Sequence, residues 1–255
     1  MIFLLFSRHL VILQLNMFTI IQKELRQFFS GLLGYLTIGV FLLITGILLF
    51  IIPESGILDA GYASMDSFFA IAPYIMLFLI PAITMKSFSD EYRNGTFEIL
   101  KTSPLPIRDL VLGKFLAAMA LVLITLCCTL VYVYSLAALS TDGIDTGGIA
   151  GAYIGLYLLC GIYVAIGLFT SSIQQNAVTA FLLSAFLCYV AYALFSSLAT
   201  IEAWKAVGYY ISLIGIKYHF ENVSRGFIDS RDLVYFLSVI SLFIYLTITN
   251  IKLKK

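Results

Sequence analysis

Six stretches of about 20 apolar residues, free of Lys, Arg, Asp and Glu away from their ends, most narrow what this chain can become. They lie at roughly 31–52, 68–85, 115–139, 148–170, 177–199 and 233–251. A helix rising about 1.5 Å per residue needs about 20 such residues to cross a hydrocarbon core about 30 Å thick. A lone charge in that core is costly, which is why the charges collect at the ends of the windows. Composition agrees: 61% of the 255 residues are hydrophobic and 11% charged, with a mean hydropathy of +1.02. Soluble domains run nearer half apolar and a quarter charged. The expected fold class is an all-α membrane protein with six transmembrane helices. The second window holds Pro73 and Pro81, which predict a kink or a broken end there.

Basic residues in the connections set the expected orientation. Lys23 and Arg26 precede the first window, Lys86, Arg93, Lys101, Arg108 and Lys114 lie between the second and third, and Lys252, Lys254 and Lys255 close the chain. The connection after the first window carries Glu54, Asp59 and Asp66, and that after the third Asp142 and Asp145, all without Lys or Arg. Both termini and the 86–114 loop are therefore expected in the cytoplasm. The 201–232 segment, expected outside, mixes Lys205, Lys217, Arg225 and Arg231 with Glu202, Glu221, Asp229 and Asp232.

Residues 18–30 read as an amphipathic elbow helix on the cytoplasmic membrane surface. Phe18, Ile21, Leu25 and Phe28 recur on one side, with Thr19, Gln22, Lys23, Arg26 and Gln27 on the other. The alternative is that this segment only continues the first span. Residues 1–16 lack the cleavage site of a signal peptide and are broken by Arg8 and His9, so they read as a start-site extension ahead of Met17. Residues 17–255 show no repeat or linker and form one expected domain. Gly151 and Gly155 make a small-xxx-small pair that permits close helix approach.

The residues also exclude chemistry. A formal net charge of +1 and no basic block argue against a nucleic-acid partner. Cys127, Cys128, Cys160 and Cys188 sit inside apolar runs without metal-ligand or disulfide spacing. No phosphate-binding G-x-x-x-x-G-K-[ST] is present, both histidines (His9 and His219) lie outside the windows, and none places a carboxylate near its middle. No catalytic residues and no metal are expected in this chain. Energy for active transport would have to come through another subunit.

That points to the 86–114 loop, where Gly95 permits a tight turn, Thr96 suits an N-cap, and Phe97 to Thr102 form an expected short helix stopped by Pro104 and Pro106. The stretch IPAITMKSFSDEYRNGTFEILKTSPLPIRDLVLGK, residues 80–114, resembles the type-2 ABC transporter permease family. That family's pattern is a carboxylate, Gly-Thr, Glu, Leu and Pro, and later Gly-Lys. Here these are Glu91, Gly95-Thr96, Glu98, Leu100, Pro104 and Gly113-Lys114. A second similarity lies before the last span, with Arg225, Gly226, Ile228, Asp229 and Asp232 on the outer side. Asp229 is a natural N-cap there, with Asp232 at the third helical position.

The resemblance implies a bacterial inner-membrane permease whose loop is a coupling helix docking into a separate cytoplasmic ATPase. ATP and Mg would be held by that partner, and no cofactor by this chain. It also implies short outer helices within 201–222, a homodimer or a heterodimer of permeases, and contact with membrane lipid. From Met17 onward the chain is similar to gliding-motility permeases, which implies a companion gliding-motility membrane subunit. Two rival functions stand beside an ATP-driven exporter: a membrane scaffold for a motility or secretion assembly, and an ATP-independent channel. The substrate is not legible, because 16 Tyr and 21 Phe serve interfacial belts and helix packing as readily as an apolar cargo.

Overall fold

The computed structural model describes residues 17–52, 64–95, 97, 106–140, 143–199, 212–226 and 229–254. The described elements are helical. They are α1 (Met17–Ser30), α2 (Leu32–Phe50), α3 (Asp66–Thr84), α4 (Lys86–Arg93), α5 (Ile107–Cys128), α6 (Leu130–Leu139) and α7 (Thr146–Ile173). After them come α8 (Ala177–Tyr189), a π-helical turn (Val190–Leu194), α9 (Phe195–Ala199), α10 (Ile216–Ser224) and α11 (Ser230–Leu253). Among the described residues, six helical paths are long and apolar enough to cross a membrane: α2, α3–α4, α5–α6, α7, α8–α9 and α11. Helices suit this setting because they satisfy their own backbone polar groups where no water is available.

Side-chain hydroxyls follow the same rule. Thr37, Thr45, Thr84, Thr125 and Thr247 each donate to the carbonyl four residues earlier, at 2.7–2.9 Å. Tyrosines tie neighbouring spans together instead. Tyr132 donates to Leu42 O at 2.7 Å, and the Tyr153 and Thr129 hydroxyls meet at 2.9 Å.

α7 is the most buried span and the centre of the bundle, packing on α3, α4, α5, α8, α10 and α11. α2, α8–α9 and α11 are the least buried spans and leave large apolar side chains uncovered, among them Leu36, Leu43, Leu182, Phe186, Val234 and Tyr245. The bundle has two unlike ends. α1, α4, the start of α5 and Lys254 gather at one, here termed the basic end, where the C-terminus of α7 also lies. α10 and the N-termini of α3, α7 and α11 mark the opposite end.

The second window ends as one of its two expected forms: α3 passes through Pro73 and Pro81, both buried where it packs on α7 and α2, and stops at Thr84, with a turn at Met85 before α4. The 86–114 loop is much shorter than the charge pattern suggested. Helix continues to Arg93 on one side and starts again at Ile107 on the other, leaving 94–106 as the connection. Charged residues end the apolar window without ending the helix.

At the opposite end α10 lies against the start of α7 through the Gly151 and Gly155 pair. A Cβ on Gly155 would come within 2.9 Å of Val223 Cγ1, and one on Gly151 within 3.2 Å of Gly226 Cα. Gly226 ends α10 with φ +85°, a conformation that favours glycine, and its own Cβ would meet Gly148 Cα at 2.9 Å. The small-xxx-small pair therefore serves a short surface helix.

Candidate functional site

The basic end is organised by one lysine. Lys114, in the second turn of α5, is 4% exposed and its ammonium has three acceptors. Nζ lies 3.0 Å from Glu24 Oε1 of α1, 2.8 Å from Glu91 Oε1 of α4 and 2.7 Å from Ser87 O, also of α4. The Phe88 ring sits beneath it, 5.0 Å from Nζ to the ring centroid. A buried ammonium is tolerable because its three donors are all used and two carboxylates balance it. Gly113 explains how α1 comes so close: a Cβ there would stand 2.9 Å from Ile20 Cγ2. Glycine and lysine together thus seat the elbow and clamp it to α4.

α4 is held from a second side by α7. Ser171 Oγ accepts from the backbone N–H groups of Phe88 and Ser89 at 3.0 and 3.2 Å and donates to Met85 O at 3.0 Å. It thus caps the N-terminus of α4 from another helix, meeting donors that a helix start leaves without intrahelical partners. The C-terminus of α7 is capped in turn by α11. Asn250 Nδ2 donates to Ser172 O at 3.0 Å, and Lys254 Nζ donates to Ser172 O and Ile173 O at 2.7 and 3.0 Å. Lys254 Nζ also lies 4.5 Å from the Tyr92 ring centroid, and partial burial lowers its pKa below the usual lysine value. Tyr92 in turn packs against Phe97, with centroids 4.4 Å apart. Helices from four parts of the chain therefore converge on α4, which leads directly into the 94–106 connection.

Of the coupling residues, Glu91 sits in this clamp and Gly95 turns the chain at φ +68°. Thr96, Glu98, Leu100 and Pro104 lie outside the described residues, as do Ile228 and the 1–16 segment. The elbow is an α-helix over Met17–Ser30, separated from α2 by Gly31. Phe28 is buried with Ile83, Ala117 and Leu121, and Ile21 and Leu25 flank that cluster, while Lys23 and Arg26 face out. The buried stripe is Ile20, Glu24 and Phe28. It shares Phe28 with the apolar side read from the sequence, whose Phe18 is 65% exposed and turned away from the other helices. Glu24 was missed because an apolar-stripe reading passes over a carboxylate, yet its spacing from Ile20 and Phe28 puts it on their face.

At the opposite end Asp229 caps α11, accepting from Arg231 N at 3.0 Å. Asp232 is turned inward and pairs with His219 of α10, Oδ1 to Nδ1 at 2.6 Å. His219 Nε2 lies 2.8 Å from Leu213 O and therefore carries the hydrogen, since a carbonyl only accepts. Tyr235 stacks on the imidazole with centroids 3.9 Å apart and donates to Ile214 O at 2.5 Å. Arg225 stays exposed next to Gly226. Sequence reasoning placed His219 outside the spans but had no signal for its partner, thirteen residues away across a turn.

Among the described residues, no three of His, Cys, Asp and Glu gather as metal ligands would. The polar groups here hold helices together. No curated protein matches the chain. The family described as ABC-2 family transporter protein matches residues 15–250, and the chain belongs to it, as a non-catalytic, multi-pass membrane permease component.

Proposed function

We propose that this permease is the membrane subunit of an ATP-driven exporter and that its basic end, facing the cytoplasm, receives the motion of the ATPase. Permeases of this family pair with ABC ATPase subunits, which bind ATP and Mg. The observation that carries the reading is the Lys114 clamp. Two residues of the family pattern, Glu91 and the lysine of Gly113-Lys114, meet at 2.8 Å although they are 23 positions apart. A push on the 91–104 segment then reaches the elbow through Glu24, the third span through Lys114, and the fourth span through Ser171. ATP binding would draw two ATPases together, and α4 would turn that closure into movement of the spans. A rigid α4 suits this role, since a loosely held helix would absorb the motion.

The orientation follows the loop charges. The resemblance to the gliding-motility permease subunit GldF, with a companion gliding-motility membrane subunit, rests on sequence similarity over the chain from Met17. A bacterial inner-membrane location and a homodimer or heterodimer of permeases go with it.

The test is Glu98→Arg. Exposed substitutions usually change stability by no more than about 0.5 kcal/mol. Like charges forced together at an interface cost several kcal/mol, and each 1.4 kcal/mol is about a tenfold loss of association. The expected result is normal membrane abundance with lost capture of the ATPase. Normal abundance with undiminished capture and activity would remove this segment as the coupling element, and failure of any ATPase to co-purify with the native chain would favour the scaffold or channel.

A further inference from the structure

Beside the Lys114 clamp, α1 and α4 are separated by a cleft of about 460 Å³. Its lining is layered. Phe28, Leu33 and Ile83 form an apolar portion toward the spans, and Lys23 and Gln27 of α1 face Lys86, Asp90 and Asn94 of α4 across the polar portion. Lys114, Glu24 and Glu91 close its inner wall and are committed to one another. Among the described residues, Lys23, Lys86 and Asp90 form no ion pair.

The order of residues along α3 and α4 carries the argument. Ile83, Lys86, Asp90 and Asn94 recur at three- and four-residue steps, so they share one helix face. From the membrane outward that face reads apolar, cation, carboxylate, amide. The step from Lys86 to Asp90 spans about 6 Å of helix axis. A zwitterionic phospholipid presents its groups in the complementary order: acyl chain, then phosphate, then ammonium. Lys23 on the facing helix supplies a second cation for the phosphate. A purely anionic headgroup would leave Asp90 beside like charge. A quaternary ammonium would offer that carboxylate no hydrogen-bond donor, whereas a primary ammonium offers three.

We propose that this cleft binds the headgroup of a phospholipid carrying a primary ammonium, with phosphate between Lys23 and Lys86 and ammonium on Asp90. The lipid then acts as a wedge between the elbow and α4 on the open side of the Lys114 clamp. The proposal rests on the cleft and on the chain's residence in a membrane. It does not depend on ATPase docking, so either can fail alone.

The experiment is native mass spectrometry of the full-length permease, purified from its membrane and equilibrated with equal amounts of phosphatidylethanolamine, phosphatidylcholine and phosphatidylglycerol. Phosphatidylethanolamine is expected to be retained about tenfold over phosphatidylcholine, the discrimination that one charge-assisted hydrogen bond gives. Asp90→Asn should erase that preference. Lys23→Gln, at an exposed position on α1, should reduce retention of all three lipids, while Lys217→Gln at the opposite end should change nothing. Equal retention of the three lipids, or preference for phosphatidylglycerol, overturns the proposal. So does a preference that survives Asp90→Asn, or retention that Lys23→Gln leaves unchanged, because the lipid would then sit elsewhere.

Discussion

Lys114 shows how much of the site depends on single atoms. With Nζ removed, Glu24 and Glu91 remain in a space that was closed around a cation, so Lys114→Met should destabilise more than the loss of one contact implies. Breaking a buried pair from one side costs about 3–5 kcal/mol. Glu24→Gln keeps the shape and one acceptor and leaves Glu91 to balance the ammonium, so its penalty should be smaller. Thermal unfolding of the two variants in the same detergent would show the order, and equal midpoints would refute the clamp. At this scale the sequence was half legible. The Gly113-Lys114 pair and Glu91 stood out by pattern, but Glu24 is 90 positions from its lysine and only chain folding brings them together. His219 and Asp232 repeat the lesson: Asp232 is the third residue of α11, as its spacing from Asp229 implied, and the fold also aims it at an imidazole.

At the scale of elements, α1 is the informative case. Its helical period was readable, but its face was not, because apolar spacing alone does not distinguish a side turned to lipid from one turned to protein. The Ile20, Glu24 and Phe28 stripe packs inward because α5 offers Gly113 and Lys114 at matching heights. Phe28→Asp would place a carboxylate among Ile83, Ala117 and Leu121, whereas Gln27→Asp places one in the open. An unpaired buried charge costs several kcal/mol, so Phe28→Asp should abolish folded permease and Gln27→Asp should leave its abundance within about twofold. Quantitative immunoblotting of membrane fractions distinguishes them, and equal abundance would contradict this packing of α1.

For the whole molecule, six crossings place α1, the 94–106 connection and the C-terminus on one side and α10 on the other. With all four native cysteines replaced, Gly95→Cys should resist an impermeant maleimide in intact cells, and Arg225→Cys should label. The reverse pattern would invert the orientation and end the coupling proposal. The least buried spans, α2, α8–α9 and α11, leave apolar faces that a bilayer or a second permease would cover.

The sequence by itself determined the number of apolar spans and roughly where each one lies. Both follow from the cost of charge in hydrocarbon, a local property that any window of the chain reports. It could not decide the depth of α3 and α4, because helices outlast their apolar windows, or the continuity through Pro73 and Pro81, because neighbouring spans hold that segment. Nor could it reveal that Lys114 joins α1 to α4, that Ser171 caps α4, or that Gly151 and Gly155 receive α10. Those are contacts between residues far apart in the chain, and they exist only once packing has chosen which faces meet.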